Sequence, residues 1–431
     1  MTTHYQKSVL SNGIRVITEY IPYVRSVSLG IWINSGSKDE TPSKNGVSHF
    51  LEHMFFKGTV KRDAFQIAQS LESLGGQLNA FTGRDLTCYY ARVLDEYLPV
   101  ALDVLSDILC NSVFNEEKIE KEKHIITEEI RQVQDTPDDL VGELFATSIW
   151  TPHPMGFSIL GTEETISSLC RADLIDHLSK FYRSENIVIA AAGNIDHLKM
   201  VESVDCYFHF PRGLETNTPP LPPLSSVIKQ AQREISQVHL CLGRRIFSYN
   251  NPKKYALLIL NTLLGGGMSS RLFQNIREKL GLAYAVHTQL EFLQDTGLFA
   301  VYLATDPAKV EQSLEMVLRE FTRLRTTPLS DEELFYAKTQ LKGNLVLALE
   351  STTARMTRIA KQEIYSGRFQ TIDETIAAID GVSQEEILEL ANRLFYPSEL
   401  CLAIVGPERL DEGAIRGFLA RSSDNNKIPG Q

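Results

Sequence analysis

The chain repeats itself, and this repeat limits its possible folds more than any other feature of the sequence. Thr165-Ile-Ser-Ser-Leu leads through a helical pattern to Phe181-Tyr182, then to the apolar run Ile187–Gly193. Much later, Thr375-Ile-Ala-Ala-Ile leads through another helical pattern to Phe395-Tyr396, then to the apolar run Leu400–Gly406. Asn115 and Ser330 each open a long helical pattern at corresponding places. A unit that recurs in the same order reads as a duplicated α/β module. Between the copies, 211–224 (PRGLETNTPPLPPL) holds five of the 17 prolines and shows no hydrophobic periodicity. Proline fixes φ and removes a donor, so this stretch reads as a stiff, extended connector. The expected domains are 1–210, a linker at 211–224, and 225–431.

Within the first half, strand patterns come early, at Ser8–Glu19, Ser26–Ser35, Gly76–Phe81 and Thr87–Val93. Helical patterns follow at Glu96–Asn111, Asn115–Asp135, Pro137–Ile149 and Ser168–Tyr182. Consecutive strands with short connections predict antiparallel pairing, with helices packed on one face. The expected fold class is therefore α+β: two homologous two-layer α/β domains in tandem, each a mostly antiparallel sheet with helices on one face.

Composition narrows the function classes. A net charge of −11 argues against a nucleic-acid or anionic-membrane binder, whose basic footprint would be visible. No stretch is apolar for long enough to span a bilayer. The N-terminus carries neither a signal core nor an Arg-rich transit helix, which predicts a cytoplasmic protein. Its six scattered cysteines, none in a C-x-x-C pair, read as reduced and mostly buried thiols.

Chemistry concentrates at 46–58 (GVSHFLEHMFFKG). The segment reads as a short helix stopped by Lys57 and Gly58. His49 and His53 are four apart, so their imidazoles share one face and can reach a single cation. Glu52 can sit beside a metal-bound water without occupying the metal, and H-x-x-E-H is the reversed zinc-peptidase signature. A zinc site needs a third protein ligand. In 115–135, Ile119, Ile126, Ile130 and Val133 form an inward stripe, with Glu122 and Glu129 on its flank and Glu128 on the opposite face. Carboxylates aimed at a core are costly unless paired or bound to metal. Periodicity therefore leaves Glu122 or Glu129 as the third ligand and the other to orient a histidine.

Gly46 to Thr59 strongly resembles the helix that carries catalysis in the M16 (pitrilysin-type) zinc metallopeptidases, which include the mitochondrial processing peptidase and insulin-degrading enzyme. The resemblance continues through Leu74–Tyr90 and Gly265–Tyr284 and covers essentially the whole chain. In the processing-peptidase branch the third ligand is a downstream Glu at a spacing that Glu129 matches. The resemblance thus implies zinc on His49, His53 and Glu129, with Glu122 orienting a histidine. Glu52 is implied as general base and then general acid in peptide hydrolysis. Asn79, Ala80 and Phe81 would hold an extended peptide by β-addition. Arg277 and Tyr284, seven apart, would bind the substrate backbone and the developing oxyanion. The second half shows no histidine across Pro252–Leu264, and Asn344 stands at the position matching Glu129, so one zinc per chain is expected.

Full-length pitrilysin-type enzymes close four such domains into a clamshell, and two are present here. The resemblance implies a closed chamber completed by a second chain, as a homodimer or as a heterodimer with a related chain. Peptides are the expected substrates of this zinc metalloendopeptidase. The alternative is a non-catalytic M16-like subunit of a processing-peptidase-type complex, although such subunits typically lose the motif kept here.

Overall fold

The computed structural model describes residues 4–213 and 219–424. Eleven strands form two sheets among these residues: β1 (His4–Val9), β2 (Arg15–Tyr20), β3 (Ser26–Ile33), β4 (Gln77–Thr82), β5 (Thr87–Leu94), β6 (Ile187–Gly193), β7 (Ile228–Gln232), β8 (Val238–Ile246), β9 (Ala283–Phe292), β10 (Gly297–Thr305) and β11 (Cys401–Gly406). The first sheet has the order β1-β2-β6-β3-β5-β4, and the second β7-β11-β8-β10-β9. Each sheet has one parallel pair, β2 with β6 and β7 with β11, among antiparallel neighbours. In both, the parallel partner is the late apolar strand of the repeat. Such a strand returns after a run of helices and can enter only by a crossover.

The single strand expected over Ser8–Glu19 is instead a hairpin. Leu10 N donates to Ile14 O and Gly13 N to Leu10 O, with Gly13 at φ +104°. Alternation on both sides of the turn hid it. Of the connector, 214–218 lie outside the described residues. The stretch 219–227 carries no helix or strand.

Compactness divides the chain differently from its covalent order. One unit gathers Met1–Gln132, His153–Pro220 and Leu347–Thr371, and the other Val133–Pro152, Leu221–Val346 and Ile372–Gln431. Each half of the chain thus lends one helix to the other unit. In the first unit, Val27, Leu29, Ile31 and Ile33 of β3 point into the main core. The alternate residues face the helix Thr352–Ser366. Ser28 Oγ lies 2.9 Å from both Thr352 and Thr353 Oγ1, and Trp32 Nε1 donates to Met356 Sδ at 3.2 Å. Burial on both faces explains why β6 reads as an unbroken apolar run. In the second unit the helix Pro137–Trp150 packs in the matching way on β11, β8 and β7.

The first unit's main helices are α1 (Val47–Phe55), α2 (Ala64–Glu72), α3 (Leu98–Asn111) and α4 (Glu116–Asp135). Helix α2 is absent from the sequence reading, yet Asp63 and Gln66 cap it reciprocally, a box that the sequence does display. Three cysteines, Cys110, Cys170 and Cys206, are exposed, so the expectation of mostly buried thiols holds only for Cys88, Cys241 and Cys401. No helix among the described residues is long and apolar enough to cross a membrane.

Candidate metal centre

Helix α1 owes its position to its apolar face. Val47, Phe50, Leu51, Met54 and Phe55 are buried at i, i+3, i+4, i+7 and i+8. This fixes His49, Glu52 and His53 along the opposite edge. Gly46 opens the helix at φ +94°, where a Cβ would come within 2.8 Å of Leu160 O and 2.9 Å of Gly161 Cα. The helix closes at Phe56, and Gly58 turns the chain away at φ +137°.

Helix α4 meets α1 along one line of side chains. Lys118 donates from its ammonium to Lys57 O. One turn on, Glu122 is 2% exposed, accepts from His53 Nδ1 at 2.8 Å and pairs with Lys57 Nζ at 2.8 Å. Two further turns on, Glu129 Oε2 lies 3.7 Å from His49 Nε2 and 3.6 Å from His53 Nε2. Glu128 points away and pairs with Arg131 at 2.8 Å. The two carboxylates that periodicity left interchangeable therefore occupy different places.

The ligand atoms of His49, His53 and Glu129 lie within 4.8 Å of one another, and no other such group occurs among the described residues. Zinc–nitrogen and zinc–oxygen bonds of about 2.0–2.1 Å in a tetrahedron put ligand atoms roughly 3.3 Å apart. Glu129 Oε2 lies slightly further than this from both Nε2 atoms, and all three ligand atoms stay within 4.8 Å, so the donor set fits zinc after a contraction. Its chemistry fits as well. Burial, then the neighbouring His53, pushes His49 down to about 3, leaving the ring neutral with a free lone pair at pH 7. The carboxylate of Glu122 requires a proton on His53 Nδ1, which leaves His53 Nε2 as the free donor. Burial alone would raise Glu122, but hydrogen bonds from His53 and Lys57 outweigh it and hold the carboxyl below its ordinary value.

Glu52 lies outside the ligand set. Its Oε2 accepts from Thr82 Oγ1 at 2.5 Å. Burial holds its carboxyl above the usual range, against the pull of that hydrogen bond. Such a group exchanges protons more readily near neutral pH than an exposed glutamate.

Asn79, Ala80 and Phe81 lie on β4, which pairs with β5 alone at the sheet edge. Its other side meets no strand among the described residues, the kind of edge that binds extended peptides, and there Ala80 N donates to the Asn79 Oδ1 of its neighbour at 2.8 Å. Thr82 ends this strand and ties it to Glu52. The sequence reading missed Thr82, though it directly follows the three residues named there. Arg277 and Tyr284 belong to the second unit. The Arg277 guanidinium, in a π-helical turn (Phe273–Lys279), lies 4.6 Å over the Tyr284 ring, and Tyr284 on β9 is 77% exposed.

Residues 15–163 match the family described as insulinase (peptidase family M16), and residues 168–341 match the peptidase M16 inactive domain. An uncharacterized zinc protease of Bacillus subtilis is 40% identical over 398 residues, spanning 92% of this chain and 97% of its own. Among solved structures, a protease from Helicobacter pylori has TM-score 0.87 at 20% identity, covering 94% of this chain and 99% of that one. A chain of complex III from Candida albicans has TM-score 0.84 at 21% identity, covering 96% and 99%. These two likenesses concern the fold alone.

Proposed function

The chain belongs to the peptidase M16 family, and from that premise we propose that it is a zinc metalloendopeptidase acting on extended or unfolded peptides. One observation carries the reading: His49, His53 and Glu129 converge their donor atoms while Glu52, on the same helix, stays outside that set. His49, His53 and Glu129 would hold one zinc per chain. When bound, zinc supplies Lewis acidity that polarises a peptide carbonyl and acidifies water. Glu122 keeps the His53 ring turned with Nε2 toward the cation site, and Lys57 keeps Glu122 ionised. Glu52 removes a proton from the attacking water and returns it to the leaving amine. Asn79, Ala80 and Phe81 offer the edge of β4 to the substrate main chain, so an extended backbone is read rather than a particular sequence.

The same proposal makes the working form a dimer, preferably of two identical chains. The Arg277–Tyr284 pair of a second copy would complete each site within a closed chamber. A supporting feature is the exposure of Tyr284, whose ring lies under the partly exposed Arg277 guanidinium.

The test incubates purified protein with a mixed peptide pool, with and without chelator, beside Glu52→Gln. The expected result is chelator-sensitive cleavage that Glu52→Gln abolishes while zinc stays bound. Cleavage indifferent to both would overturn the peptidase reading. Full activity from a solution monomer at micromolar concentration would overturn the dimer.

A further inference from the structure

A carboxylate remote from the cation site is built into the start of the helix that carries it. Glu40 is almost wholly buried, and both of its oxygens are engaged. Oε2 accepts from Gly46 N at 2.7 Å and from Asn45 Nδ2 at 2.8 Å, and Oε1 accepts from Ser48 N at 2.8 Å. The Gly46 and Ser48 N–H groups belong to the start of α1 and otherwise lack intrahelical partners. Gly46, at the cap position, has no side chain to satisfy them. Burial raises Glu40 to about 7, so this cap is held at a cost that an exposed serine or aspartate would not incur.

The fold does not demand this arrangement. The helix Lys254–Gly265, at the corresponding place in the second half, begins without a buried acid. There Asn251 Oδ1 accepts from Lys253 N at 2.9 Å, in a partly exposed turn. The same fold position thus forms a longer helix with a simpler start. What differs is that α1 carries His49, Glu52 and His53.

Glu40 also ends a short strap pinned to the chain that leaves β4. Ser37 N donates to Gly83 O at 3.2 Å and Lys38 N to Arg84 O at 2.9 Å. At Gly36 a Cβ would come within 2.4 Å of Gly83 O, so this approach requires glycine. Arg84 in turn donates to Met155 O at 3.0 Å and Phe157 O at 2.8 Å. The edge strand and α1 are therefore joined twice: through Thr82 and Glu52 at one point, and through Gly83–Arg84, the strap and Glu40 at the other.

We propose that Glu40 is a positioning residue that sets the first turn of α1, and with it His49 and Glu52, in register with the edge strand β4. This rests on the zinc-peptidase reading, and its test includes an arm that does not depend on peptide hydrolysis. Glutamine keeps the size of Glu40, but its amide NH2 would face a backbone N–H that needs an acceptor. In the full-length protein, Glu40→Gln is expected to bind zinc about tenfold more weakly in chelator competition, the loss expected of one hydrogen bond to a charged group. The zinc-induced rise in melting temperature should shrink accordingly, while the zinc-free melting temperature stays within a few degrees of the parent. With a peptide substrate, kcat should fall about 10- to 100-fold and KM should change less than about twofold, because the backbone-binding edge is untouched.

Unchanged zinc affinity and kcat in Glu40→Gln would overturn the proposal. So would an equal drop in melting temperature with and without zinc at intact zinc affinity, which marks a purely structural role. Amide exchange of Gly46 and Ser48 in the parent and in Glu40→Gln gives a further test, since exchange unchanged by the glutamine would refute the cap. If the parent cleaves no peptide, the peptidase reading fails while the zinc measurements still test Glu40.

Discussion

Helix α4 and its counterpart Asp331–Ala348 occupy equivalent places in the two halves, shifted by 215 residues from Asn115 to Ser330, yet they solve opposite problems. On α4 the line facing α1 is Lys118, Glu122 and Glu129, with Glu122 buried against His53 and Lys57. The same positions in the second half are Glu333, Ala337 and Asn344. Ala337 is buried as Glu122 is, but it brings no charge that needs a partner. The second half therefore shows what the fold requires at this place, a small or apolar inward residue. The first half departs from that minimum at Glu122, and pairs it with His53 and Lys57. Such departures from the least costly solution mark function.

The strongest way to sharpen this contrast is to push the first half toward the second. Glu129→Asn copies Asn344, and zinc is expected to fall from one per chain toward none after dialysis, measured by elemental analysis. Glu52→Gln leaves the ligands intact, so zinc should remain while kcat falls by about 10²- to 10⁴-fold, the range for losing a general acid–base. Retention of activity by Glu52→Gln would remove the main distinction between the halves.

Next in size is the exchange of helices. Trp150 belongs to the first half by sequence but lies fully buried in the second unit, where its Nε1 is 3.4 Å from Thr296 Oγ1. Trp150→Ala should cost about 3–5 kcal/mol. Hydrogen exchange should rise in β8 and β11 while β3 and β6 keep their protection. Exchange rising in β3 instead would break the assignment of this helix.

Glu122→Ala copies Ala337 and leaves His53 without its orienting acceptor. Zinc affinity should drop about 10- to 100-fold, as for other residues that orient a metal-binding histidine. An undiminished affinity would make Glu122 structural only.

The smallest expected effect is on pH dependence. The folded carboxyl of Glu40 is raised from 4.5 to about 7, chiefly by burial. The folded state therefore keeps a proton that the unfolded chain has already released. Stability from this group is full below about pH 4.5 and lost as pH rises through about 7. Zinc-free protein should show a urea midpoint with that falling component, and Glu40→Gln should lack it. The second half has no equivalent buried acid at its matching helix start, so a slope that survives the substitution would point elsewhere.

Much of this was legible in order and spacing. Repeat order gave two α+β modules, because apolar runs ending in glycine report strands buried on both faces. Helical phase placed His49 and His53 on one edge and excluded Glu128, since 100° per residue is a property of the helix itself. Phase could not separate Glu122 from Glu129. They lie seven residues apart, on the same flank, and only the place where α4 crosses α1 assigns one to the imidazole Nδ1 and the other to both Nε2 atoms. Glu40, Lys57 and Thr82 carried no periodic signal. Their roles depend on contacts between a strap, a helix end and a strand end that no local pattern encodes. The exchange of Pro137–Trp150 for Thr352–Ser366 was equally hidden, because an amphipathic helix announces that it will be buried but not which sheet will cover it. The sequence by itself determined which residues could bind a cation and that there were two modules to hold them. Tertiary structure alone decided which carboxylate meets which nitrogen and which sheet each lent helix completes, because both depend on the relative placement of elements far apart in the chain.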